Sequence, residues 1–151
     1  MRLFALLIVL IATPAFAHDY KTGGISVAHP FAYPSRGPTA AGYMAITNSG
    51  ADDILLEIRA DVPRVTMHKS VIVDDVARMR PADRIAVGAG ETVEFAPNGL
   101  HVMFVGLTER FVEGDKVPAI LVFENAGEVE VLFHVEPRPA GSSEMDHSNH
   151  Q

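Results

Sequence analysis

Cysteine is absent from this 151-residue sequence, so its soft metal donors are confined to 7 His and 6 Met. Four of them form a spaced set: His68, ten residues, Met79, twenty-one residues, His101, one residue, Met103. Between His68 and Met79 lies Val71-Ile72-Val73-Asp74-Asp75-Val76, which reads as a strand end, an acidic turn and a strand start. A turn centred on Val73-Asp74 sets position 68 directly across from position 79, and cross-strand partners on one face stand about 5 Å apart at Cβ. His101 and Met103 are two apart on an extended segment and share a face. The two pairs make a candidate site of two imidazoles and two thioethers. Thioether sulfur is soft, neutral and a ligand at any pH; with borderline imidazole it suits Cu(I) far better than Zn(II), Ca(II) or Mg(II). Four neutral ligands leave the ion its own charge, and a partner can take it over by ligand exchange.

Alternation sorts the neighbours. Val65 and Met67 fall on one face and Thr66, His68 and Ser70 on the other, so Met67 reads as core. Met79 lies between Arg78 and Arg80, where strict alternation turns it toward the core; a bulge or a rim position near the turn would bring it to the site. Met44, between Tyr43 and Ala45, reads as packing. His134 falls on the wet face of a strand, and His29 precedes Pro30 in a turn, so both read as surface or structural residues. Nitrogen donors collect at the two ends. Met145, His147 and His150 lie in the last eight residues with Glu144 and Asp146, and a His-containing tract of this kind can wrap a metal ion. His18, once it is the amino terminus, offers its α-amine and its ring together, a pair that suits Cu(II).

These donors need elements to place them. Residues 1–17 have the layout of a cleaved secretory signal: Arg2, an apolar run from Leu3 to Ala12 too short to span a bilayer, and the small-residue triplet Ala15-Phe16-Ala17. Cleavage after Ala17 leaves a periplasmic protein beginning at His18, with no stable membrane anchor. From Gly24 onward, short runs rich in Val, Ile, Phe and Thr recur every eight to twelve residues between Pro, Gly, Asn and Asp. Strands are expected near 24–29, 41–48, 53–60, 64–72, 76–80, 91–95, 101–107, 117–124 and 128–136, giving an all-β antiparallel sandwich or barrel of about eight or nine strands. The domain occupies residues 18–137, and 138–151 form a mobile tail with too little apolar surface to pack. A formal charge of −7 lacks the basic footprint that nucleic acid demands. The absence of cysteine also removes thiolate zinc sites, disulfides and the electron-transfer type of copper site.

The pattern His-x10-Met-x21-His-x-Met, filled here by His68, Met79, His101 and Met103, resembles the signature of the periplasmic copper chaperones called PCuAC. Also similar are His18-Asp19-Tyr20, His29-Pro30 with Ala32, Ala41-Gly42-Tyr43-Met44 running into Asn48, Met79-Arg80-Pro81 and His101-Val102-Met103. The resemblance covers nearly the whole mature chain. Its departures are Met67 before His68, where some members have a further Met after the His, and Phe31, where Trp is frequent. The resemblance implies a cupredoxin-like Greek-key barrel and delivery of Cu(I) toward the copper centres of cytochrome c oxidase, to an oxidase subunit or alongside a Sco-type protein. Some members carry His/Met-rich C-terminal extensions implicated in Cu(II) capture. The expected protein is a monomeric metallochaperone with copper as its cargo, Cu(I) at the barrel and Cu(II) at the termini, and no enzymatic turnover. A periplasmic copper buffer that binds without delivering is the alternative. An oxidase using His18 lacks a second and third His at fixed spacing, and a structural or adhesive sandwich without metal is the alternative that a copper titration decides.

Overall fold

The computed structural model describes residues 19–139. It is all strand and connection: β1 (Tyr20–Thr22), β2 (Ile25–Ala32), β3 (Thr39–Asn48), β4 (Asp53–Ala60), β5 (Arg64–Val73), β6 (Val76–Pro81), β7 (Ile85–Val87), β8 (Thr92–Phe95), β9 (Leu100–Val105), β10 (Lys116–Phe123) and β11 (Gly127–Val135). All nine expected strands are present within a few residues. Two more, β1 and β7, have three residues each and are too short for an alternating pattern to announce. Among the described residues, no helix is long and apolar enough to cross a membrane.

The strands form one curled sheet in the order β6-β5-β9-β8-β3-β2-β11-β10-β4-β7, with β1 on β2 and β9 also on β3. Nine of the neighbour pairings are antiparallel; β11 with β2 and β8 with β9 run parallel, which the sequence pattern did not disclose. The concave side holds the core, where Ile46, Leu55, Val102, Phe104, Leu121 and Phe133 are almost fully excluded from solvent. Phe104 and Phe133 meet edge to face at 5.4 Å. Gly42 makes room for them: a Cβ there would come within 2.8 Å of Phe104 and 3.1 Å of Phe133.

The two ends of the curled sheet differ. At one end, the connections are tied by two buried polar side chains. Asn48 donates to the carbonyls of Ala51 and Val87 and accepts from the Gly50 amide. The Asp53 carboxylate accepts from the amides of Ile54, Asn125 and Ala126 at 2.8–2.9 Å. At the other end, the β5–β6 hairpin runs out beyond the core, and every residue of β6 is exposed. Its two turn residues, Asp74 and Asp75, have φ of 52° and 59°. Positive φ at both central positions is the hairpin turn whose twist matches that of the flanking strands, and Asp tolerates that conformation through its short polar side chain.

Candidate metal centre

The four spaced donors come from β5, β6 and β9, three neighbouring strands. Pairing of β5 with β9 sets His68 opposite His101 and Thr66 opposite Met103. Pairing of β5 with β6 sets Ser70 opposite Met79 and His68 opposite Pro81. The hairpin register therefore differs from the expected one by two positions, because the turn is centred on Asp74-Asp75 and not on Val73-Asp74. Strand side chains repeat every two residues, so this shift moves Met79 along the hairpin and leaves it on the His68 face. No bulge is needed, and Met79 holds the exposed position near the turn that is the other expectation. The inward face, to which alternation would assign Met79, is occupied here by residues 78 and 80 and has no core beneath it, since the hairpin has already left the barrel.

The result is a central row of Pro81, His68 and His101, with Met79 diagonal to it on one side and Met103 on the other. Met79 stands opposite the small residue Ser70 and spans two strand spacings, about 9.6 Å of sheet, to reach β9. Its sulfur reaches 3.3 Å from His101 Nε2. His101 is 94 % shielded from solvent, and its Nδ1 lies 3.0 Å from the Gly99 carbonyl. A carbonyl can only accept, so in the neutral ring Nδ1 carries the proton and Nε2 presents a lone pair to the thioether. Nitrogen and sulfur bonds to a tetrahedral d10 ion, about 2.0 and 2.3 Å, place the two donors roughly 3.5 Å apart. The observed pair already has nearly that separation.

Two buried polar atoms on the same face, Thr66 Oγ1 and His68 Nδ1, have no hydrogen-bond partner. Unmet capacity of this kind in a buried setting is met by an ordered water, a ligand or an ion. The His68 ring stands 5.9 Å from that of His101. Met103 is half-buried on the same face, opposite Thr66 on one side and Ala41 on the other. The β3–β9 ladder ends one step before Tyr43 and His101, and Tyr43 belongs to an aromatic cluster with Phe31 and Tyr33. Among the described residues, no three His and carboxylate side chains gather in one place, so a site built from hard donors has no counterpart here.

Ser70 and Gly99 were not among the residues singled out from the sequence. Both act through absence of bulk or through the backbone: Ser70 lets Met79 cross, and the Gly99 carbonyl fixes the His101 tautomer. A small residue midway between two donors on adjacent strands is the only trace they leave. Met67 and Met44 are buried as expected, and His134 lies on the outer face of β11. His29 is corrected: it sits within β2 at a bulge, with φ of 46°, its ring on Phe31 and its Nε2 2.8 Å from Glu136, and not in a turn. His18, Met145, His147 and His150 lie outside the described residues, as do the expected signal segment and most of the tail. A cavity of about 570 Å³, lined mainly by residues of β1, β4, β10 and β11, includes none of the four donors.

Burial holds the His68 imidazole below the ordinary value of 6.5, helped by His101 and by the nearby Arg64 and opposed by Asp83. The neutral ring is the one that can bind a metal, so protons begin to compete only at lower pH than usual. In the metal-free protein the His68 ring should titrate by NMR with a midpoint below 6.5. A midpoint above it would mean that the site favours the charged ring and opposes metal binding.

The curled all-β sheet is similar to that of solved PCuAC domains. The chain belongs to the LpqE-like lipoprotein family, whose model matches residues 25–135, and its solved relatives are of the PCuAC type. The copper-bound PCuAC domain from PmoF2 is 31% identical, with a TM-score of 0.67 over 80% of this chain and 99% of that one. The apo PmoF2 PCuAC domain is 28% identical, with a TM-score of 0.67 over 82% and 98% of the two chains. The CuI-DR1885 structure from Deinococcus radiodurans, 20% identical, shares the fold with a TM-score of 0.59 over 81% and 83%. No curated protein matches the chain.

Proposed function

We propose that this protein is an extracytoplasmic copper metallochaperone. It holds Cu(I) between His68, Met79, His101 and Met103 and passes it toward the copper centres of cytochrome c oxidase, to an oxidase subunit or through a Sco-type protein. The observation that carries the reading is the opposition of His101 Nε2 and Met79 Sδ at 3.3 Å, with the proton of His101 held at Nδ1 by Gly99. Two lone pairs aimed at each other repel unless a cation stands between them, and a soft donor set selects Cu(I). The copper-bound relative supports the choice of metal. Nothing in this chemistry turns over: the residues bind, orient and release.

Delivery is favoured over storage by the exposure of Met79, which is 50%. A buffer gains from enclosing every ligand, whereas a donor protein gains from leaving one within reach of an incoming ligand. X-ray absorption on the anaerobically Cu(I)-loaded mature protein should show two sulfur and two nitrogen neighbours. A shell without sulfur would overturn the assignment.

A further inference from the structure

The geometry points to the back of the β5–β6 hairpin as the surface that docks an acidic protein partner, the one with which copper is exchanged. The hairpin has two faces. The front carries His68, Ser70 and Met79, and continues past them to Ile72, which is 77% exposed. The back carries Lys69, Arg78 and Arg80, all exposed. Lys69 stands directly opposite Arg80, and Arg78 is the next residue but one along the same edge strand.

Like charges directly across a strand pair repel, and here no carboxylate relieves them. The ion pairs found among the described residues involve other cations: Arg59 with Glu57 and Glu128, and Arg84 with Glu124. The cluster is also against the trend of the chain, whose formal charge is −7. Protection of an exposed edge accounts for charge on β6, but a carboxylate would protect as well and would lie more comfortably beside Lys69. A same-sign cluster on an acidic protein, one strand-thickness behind an exposed metal donor, fits a negatively charged surface that must come close to Met79. An anionic bilayer is disfavoured by the hairpin's own tip, because Asp74 and Asp75 would lead the way into it. A folded partner can present acidic groups to the back while one of its own ligands reaches over the free edge of β6 to the front.

This inference rests on the copper-transfer reading, and its test separates the two. Lys69→Glu/Arg80→Glu keeps the same repulsion across the strands while reversing its sign, so the fold is equally strained in variant and parent. Lys69→Arg/Arg80→Lys keeps the charge. The probe is an isolated, soluble, acidic copper-accepting oxidase domain. Association of the apo protein with it should fall with added salt. In the double-Glu variant it should be at least about tenfold slower at low ionic strength and lose that salt dependence. The charge-preserving variant should match the parent, and Cu(I) affinity against a neutral small chelator should be the same in all three. Parental association and salt dependence in the double-Glu variant would overturn the proposal. So would charge-dependent sedimentation with phosphatidylglycerol vesicles alongside unaltered association with the oxidase domain. A parent protein that leaves Cu(I) with the chelator would remove the copper reading, while the apo association would still decide the docking surface.

Discussion

Replacing Met79 and Met103 together by alanine should weaken Cu(I) binding by well over a hundredfold and leave the fold in place. The estimate is a floor, since loss of residues that only support metal ligands costs about 10- to 100-fold, and here two donors go at once. What remains is a pair of imidazoles 5.9 Å apart between ring centres, which no longer discriminates for the soft ion. The fold survives because neither thioether belongs to the core: Met79 is half exposed, Met103 half buried, and the buried methionines are Met44 and Met67. Anaerobic competition with a chelator measures the affinity, and circular dichroism checks the fold. An undiminished affinity would take both methionines out of the donor set.

The second large effect lies at the opposite end of the sheet. Asp53→Asn should lower the stability to urea at pH 7 by about 3 kcal/mol, the range expected when a buried charged acceptor of several hydrogen bonds is lost. The amide would turn a donor toward the amides of Ile54, Asn125 and Ala126, which now share the carboxylate. Burial alone would raise the Asp53 pKa. The backbone hydrogen bonds from Asn125, Ile54, Ala126 and Glu124 outweigh it and hold the pKa below the ordinary 3.8. A lowered carboxylate pKa stabilises the folded state above the unfolded value and ceases to do so as pH falls through the folded one. The deficit of the variant should therefore be full at pH 7 and shrink only below about 3.8. Asn48 and Ala41 are seven residues apart on β3, about 23 Å of strand, so Cu(I) affinity should not change in this variant. Equal stability of variant and parent across pH would show that the carboxylate network contributes nothing.

The sequence disclosed the strands that alternate and the donors that are chemically unusual. Leu56-Glu57-Ile58-Arg59 and Glu128-Val129-Glu130-Val131 announced β4 and β11 because each has one wet face. Strands β1 and β7 stayed hidden since three residues carry no period, and the parallel pairings β11–β2 and β8–β9 are set by long-range closure that no local pattern encodes. The donor face was readable because His and Met two apart on a strand must share a side, and those across a turn share one when the register has the right parity. The register of the hairpin was misread although the residues discriminate: both central positions need positive φ, which Asp tolerates and β-branched Val does not, so Asp74-Asp75 is the better turn than Val73-Asp74. The error was harmless to the site since it amounted to an even number of residues. An odd one would have turned Met79 away.

Strand β6 contributes no buried side chain, and that gives the donor set two stability regimes. Peeling β6 from β5 sacrifices backbone hydrogen bonds and almost no apolar burial, an opening of the kind that occurs locally and far more often than global unfolding. β9 cannot open so, because Val102 and Phe104 are rooted in the core. His101 and Met103 thus stand on a strand anchored in the core, and Met79 on a flap that is not. An ion shared between them would act as a clasp holding the flap down, and its departure would begin at the thioether of β6.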